Sequence, residues 1–125
     1  MKQKISRVKA QGVARALLDM DREWARIFGD IGLQDLNYGD LFFEMWQHEN
    51  QAFAKTALYD YMPGVSRRTA VRYVQALIDT GWLIEHEAEH DRRVKLVQLS
   101  VEIEQRLVQF LAFVHHRFAI LQRPS

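Results

Sequence analysis

Residues 66–80 separate their apolar and polar positions cleanly. At about 100° per residue, Ala70, Tyr73, Val74 and Leu77 fall on one side of a helix and Arg68, Arg72 and Gln75 on the other. Ser66 can accept a bond from an early helical N–H, Pro63-Gly64 marks a sharp turn before it, and Gly81 suits the closing position. An amphipathic helix is also predicted over 8–28. Val13, Leu17, Trp24 and Phe28, with Leu18 and Ala25 beside them, oppose Asp19, Arg22, Glu23 and Arg26. A second helix, capped by Asn37, runs through YGDLFFEMWQHEN. Its wide apolar face is Tyr38, Leu41, Phe42, Met45 and Trp46, with His48 and Glu49 solvated at its end. A third, shorter helix is expected over 53–61, with Phe53, Leu58 and Tyr61 inward and Lys55 and Thr56 within reach of a phosphate.

After Gly81 the period changes. Trp82-Leu83-Ile84 begins an extended run, 94–99 alternates with β-rich composition, and the stretch 85–93 between them is polar. This predicts a β-hairpin with a charged tip. Short helix, turn, longer basic helix and hairpin is the order of a winged helix-turn-helix. Ser100 then caps a last helix over 100–121, with Glu102 and Glu104 at the positive end of its dipole. Leu107, Leu111, Val114, Phe118 and Leu121 form a heptad seam, and Val108, Phe110, Phe113 and Ile120 lie outside it. A helix apolar on several sides must bury several sides. The partners expected are its own domain, the N-terminal helix and a second subunit. The fold class is therefore mainly α with a small β-hairpin. It is read as a single domain over 1–125, in which outer, dimerising helices 8–28 and 100–121 flank a core over 37–99 with recognition helix 66–80 and wing 82–99.

The 125 residues suit one soluble domain, and the formal net charge of +1 decides little. Its distribution says more: Lys2, Lys4, Arg7, Lys9 and Arg15 precede the first acid, Asp19, which suits either a DNA-touching arm or a solvated terminus. There is no cysteine, so a disulfide frame, a thiolate zinc site and thiol-based sensing are excluded. The N-terminus has no apolar signal core, and no run is long enough to cross a bilayer, so a cytoplasmic protein without membrane contact is expected. His86 and His90 among Glu87, Glu89 and Asp91 have metal-ligand chemistry, but a turning hairpin does not make them converge, and a solvated acidic strand accounts for them better. No nucleophile–base pair, phosphate-cradling glycine loop or cofactor motif is found, so neither an enzyme nor a cofactor is expected.

The candidate chemistry is nucleic-acid binding. Arg67, Arg68 and Arg72 are assigned to the major groove and its phosphates, with Ser66, Thr69 and Gln75 beside them. Arg92 and Arg93 lie near the wing tip, where Arg93 can enter a minor groove and Asp91 can brace one of the two by paired hydrogen bonds. A merely solvated basic face is the competing reading of the helix. The acids Glu85, Glu87, Glu89 and Asp91 repel phosphate and confine any wing contact to the tip. Two other functions fit the pattern. One is a winged helix used for protein–protein contact, favoured by the acidic wing strand and near-neutral charge. The other is a replication-initiator module of a plasmid or phage.

Residues from about 37 to 100 resemble the winged-helix core of MarR-type transcriptional regulators. SRRTAVRYVQALIDTGWLIE resembles that family's recognition helix and following strand, and DRRVKLVQLS resembles its wing. Asp91 and Arg93 match the family's Asp-x-Arg, and Leu99-Ser100 stand where Leu-Thr is usual. The resemblance implies a homodimer held by the terminal helices. It implies double-stranded DNA as partner, a recognition helix in each major groove and an Arg93-tipped wing in the flanking minor groove. It also implies a small anionic or phenolic effector, as in many relatives. Trp24, Phe28, Phe42, Phe43 and Trp46 could line a space for one, and packing accounts for them equally well.

Overall fold

A computed structural model describes residues 4–48 and 52–123. Lys2 of the basic start and Glu49 of the second predicted helix lie outside them. The chain divides into two compact units: residues up to Gln34 together with those from Arg106 onward, and Asp35–Gln105 between them.

The first unit is an antiparallel helix pair. Helix α1, Arg7–Phe28, starts at Ser6, whose Oγ accepts from the Lys9 N–H at 3.1 Å. It ends in a 3-10 turn, Gly29–Ile31, closed by Gly32 at φ 78°. The facing helix is the later part of α5, Val101–Leu121. Partners climb one helix as they descend the other. Gly12 approaches Leu121, and Arg117 donates to Asp19 at 3.2 and 3.3 Å. Trp24 meets Phe110 edge-on at 5.1 Å, and Arg106 reaches the Ile27 carbonyl and the Asp30 carboxylate. Trp24 is buried and stacks on Phe28 at 4.0 Å, and its indole N–H donates to the Leu33 carbonyl at 3.1 Å. That bond matters because a buried indole donor left unpaired is costly. The Arg106 guanidinium holds the Asp30 carboxyl below the usual carboxylate range by hydrogen bonding.

The buried stripe of α1 differs from the predicted one. Ala16, Trp24, Ile27 and Phe28 are buried, whereas Val13, Leu17 and Leu18 are exposed. Periodicity identifies an apolar face but not how much of it one partner helix covers. A two-helix unit covers only one side. Likewise Leu107 and Phe110 of α5 are buried, Leu111, Val114 and Leu121 are half-buried, and Phe118 is exposed.

The second unit holds the remaining elements. Helix α2, Leu36–Trp46, is capped by Asp35, whose Oδ1 accepts from the Asn37 N–H at 2.9 Å. Asn37, the predicted cap, therefore lies inside the helix, where its Nδ2 donates to Asp35 Oδ1 at 2.9 Å. Strand β1, Ala52–Ala54, and a single-turn helix α3, Lys55–Leu58, replace the longer helix predicted over 53–61. Helix α4 is Arg67–Asp79, β2 is Leu83–Ala88 and β3 is Asp91–Leu99. The sheet is antiparallel in the order β1-β3-β2, so a third strand joins the predicted hairpin and β2 is its edge. Ala-Phe-Ala becomes a strand because Phe53 pairs with Val97, a long-range partner that local composition does not reveal.

Helix α4 is closed by a left-handed glycine: Gly81 has φ 85°, its N–H donates to Ile78 and the Trp82 N–H to Leu77. Ser100 ties the end of the hairpin to the start of α5. Its N–H donates to Trp82 at 3.0 Å and its Oγ accepts from the Ile103 N–H at 3.2 Å. The core contains Leu41, Phe42, Leu58, Val74, Leu77 and Val97, all at 2 % exposure or below. Tyr73 of α4 stacks on Tyr38 of α2 at 5.0 Å, and its hydroxyl donates to Asp35 at 3.5 Å. Burial pushes the Tyr38 hydroxyl pKa up. These contacts fix the roll of α4 about its axis, and so decide which side chains face out.

Candidate nucleic-acid interface

The outer face of α4 is shaped by the core it covers. With Ala70, Val74 and Leu77 buried, the opposite side presents Arg68, Thr69, Val71, Arg72, Gln75, Ala76 and Asp79, which line one shallow surface depression. Ser66 caps the helix by accepting from the Thr69 N–H at 3.2 Å, and its hydroxyl donates to Thr69 Oγ1 at 3.1 Å. Arg67 turns away from the depression: its Nη1 donates to Asp60 at 3.2 Å and its guanidinium lies 5.4 Å from the Tyr59 ring centroid. Gln75 is engaged at both ends. Its Oε1 accepts from Lys55 Nζ at 2.5 Å and its Nε2 donates to Asp79 at 2.9 Å. Among the described residues, Arg68 and Arg72 are exposed and have no hydrogen-bond or ion-pair partner.

Lys55, read from sequence as within reach of a phosphate, is instead tied to Gln75 and to Glu85 of β2 at 3.7 Å. One ammonium on a single-turn helix thus bridges α4 and β2. Sequence reasoning missed this bridge because its three members are distant in the chain. The Gln75–Asp79 bond was readable, since the two stand four apart on one helix face. Val71, exposed beside the two arginines, was also passed over.

The wing is tighter than its polar stretch suggests. The strands extend through that stretch and leave only Glu89-His90 as the turn. Glu87 pairs with Lys95 but Ala88 pairs with Asp91, so Arg92, Arg93 and Val94 lie in a bulge of β3. Bulges bend a strand and re-aim its side chains. Asp91 braces Arg93: its carboxylate accepts from the Arg93 backbone N–H at 3.0 Å and from Nε and Nη2 at 3.1 and 3.3 Å. These bonds hold the Asp91 carboxyl below the usual range. Arg92 is exposed and, among the described residues, unpaired. The helix residues and the wing residues named from sequence all lie in the second unit, on two separate elements. No group of three or more potential metal ligands is found among the described residues, and no helix is long and apolar enough to cross a membrane.

No sequence-family model matches the chain, and no curated protein matches it in sequence. Solved structures do match in three dimensions. A MepR variant from S. aureus bound to an oligodeoxyribonucleotide aligns with a TM-score of 0.64 at 10 % identity, over 98 % of this chain and 86 % of that one. A MarR family transcriptional regulator from Streptomyces coelicolor, in complex with DNA, aligns over 100 % of this chain and 81 % of that one, at TM-score 0.54 and 16 % identity. The heme sensor protein PefR from Streptococcus agalactiae, in complex with heme, aligns at TM-score 0.57 and 19 % identity, over 98 % and 83 % of the two chains. The chain has the MarR-type winged-helix fold. Helix α4 followed by the β2–β3 hairpin is the helix-and-wing arrangement of that fold. At this level of identity the likeness extends to architecture, and the side chains that carry chemistry are this chain's own.

Proposed function

We propose that this protein is a homodimeric, sequence-specific double-stranded DNA-binding transcriptional regulator of MarR type, acting in the cytoplasm and without catalytic activity. The observation that carries the reading is the pair Arg68 and Arg72, exposed and unpaired on the outward face of a core-anchored helix. In this reading α4 enters the major groove, with Arg67 on flanking phosphates and Ser66, Thr69 and Gln75 shaping the surface. Arg93, aimed by Asp91, enters the adjacent minor groove and Arg92 contacts its phosphates. Association of two copies through α1 and α5 is supported by exposed apolar side chains on that unit: Ile5, Val8, Val13, Leu17, Leu18, Val108, Phe118 and Ile120. A small-molecule effector is part of the proposal only by analogy with the fold's other members. Bulky aromatic residues in the chain, such as Trp24 and Phe42, are accounted for by packing.

The test is binding to genomic fragments that include the protein's own upstream region, at two salt concentrations, alongside light scattering for mass. Selective binding that falls steeply with salt, by a species of twice the chain mass, is the expected result. Absence of selective binding at low salt would leave the winged helix as a protein-contact module, the reading that the acidic stretch 85–89 favours.

A further inference from the structure

Seven polar residues line the start and outer face of α4, and their hydrogen-bonding capacity is unequally spent. Ser66 is committed to the cap and Thr69 accepts from it. Arg67 is held by Asp60. The amide of Gln75 is occupied on its oxygen by Lys55 and on its nitrogen by Asp79. A glutamine reads adenine by offering both amide ends at once, as donor to N7 and acceptor from N6. Gln75 already has one bond at each end, and turning the amide to present both ends to one base would break the pair to Lys55 and Asp79. Its oxygen partner is half-buried and is itself held by Glu85, so releasing the amide would disturb two elements besides α4. Arg68 and Arg72 carry guanidinium forks with no such commitments. A free fork matches the O6 and N7 acceptors of guanine. The two arginines stand four residues apart, about 6 Å along the helix axis. That rise matches about two base-pair steps of 3.4 Å.

Resting on the regulator reading above, we infer that α4 reads guanine at two positions about two steps apart in each half-site, through Arg68 and Arg72, and that Gln75 is withheld from the bases by Lys55 and Asp79. Gln75 is then a positioning residue. It links α4 to α3 and, through Lys55, to the wing, and it contributes no base preference.

The experiment is selection from a randomised duplex pool by the full chain and by Arg68→Ala, Arg72→Ala, Gln75→Ala and Gln75→Met, each checked for folding by circular dichroism. The parent should enrich a two-fold motif with two guanine columns per half-site. Arg68→Ala and Arg72→Ala should each erase one column, a loss of about 5- to 150-fold in preference at that position. Both Gln75 variants should return the parental motif at every column. Gln75→Met keeps the side chain's length if the shorter variant fails to fold. A changed or lost column with Gln75→Met, or guanine columns that survive both arginine variants, would overturn the inference while leaving a DNA-binding regulator. A pool from which the folded parent enriches no motif would overturn the regulator reading and this inference with it.

Discussion

Arg72→Ala separates DNA recognition from folding, because the two effects have opposite signs. In the free protein Arg72 is exposed and, among the described residues, has no partner, so its removal breaks no bond. It stands four residues after Arg68, and like charges at that spacing cost a helix about 0.2–0.5 kcal/mol. Alanine is also the best helix former, by a few tenths of a kcal/mol over arginine. The folded chain should therefore gain up to about 0.5 kcal/mol, which at this size raises the melting temperature by about 0–3 °C. On DNA, a base-reading arginine carries about 1–3 kcal/mol, and a dimer uses it twice. Operator affinity should fall by about 2–6 kcal/mol, roughly 30-fold to 10⁴-fold. Fluorescence anisotropy on the operator and calorimetric melting of the free protein measure the two sides. A salt series identifies the contact: loss of a base contact leaves the log–log slope unchanged, whereas loss of one phosphate contact per subunit flattens it by about 1.8. Undiminished affinity would refute the role given to Arg72. A melting temperature lowered by more than about 4 °C would show that Arg72 supports the fold.

The other expectations concern the scaffold and its charges. Gly81→Ala forces a Cβ into a backbone at φ 85°, so it should cost about 1–2 kcal/mol and lower the melting temperature by several degrees. Trp24→Phe removes the donor to the buried Leu33 carbonyl and should cost at least about 1–3 kcal/mol by chemical denaturation. Leu17→Glu with Phe118→Glu places carboxylates on exposed apolar positions of α1 and α5, and should halve the mass seen by light scattering without unfolding the chain. Asp30 and Asp91 have carboxyl pKa values depressed by Arg106 and Arg93. Their contribution to stability is thus complete above the unfolded aspartate value of about 3.9 and is lost as pH falls through the depressed folded values. Carbon-detected titration should find both below the reference, and stability unchanged by either group between pH 5 and pH 7; a normal Asp91 titration would remove the brace from the wing.

The main elements were legible in the sequence where a local rule dictated them. The Ser66 cap, the Gly81 stop and the Ala70, Val74, Leu77 stripe all lie within α4 and need no distant partner. Pairing of Asp91 with Arg93 was equally local. What the sequence hid was decided at long range. Phe53 sits in a strand because Val97 is opposite it, and Lys55 is unavailable to a phosphate because Gln75 and Glu85 reach it. The exposure of Leu17 and Leu18 was hidden for a different reason: an apolar stripe is written the same way whether its cover comes from the same chain or another.

The edge position of β2 has a consequence for solution behaviour. An outer strand offers an unpaired ladder to any neighbour. Here that strand carries exposed Glu85, His86 and Glu87, so edge-to-edge pairing of two copies would force carboxylates into register against each other. The opposite edge, β1, is only three residues long and offers little template. The acidic strand β2 thereby acts as a guard against aggregation. Replacing Glu85 and Glu87 with threonine and valine would give a better strand and a protein prone to form fibres.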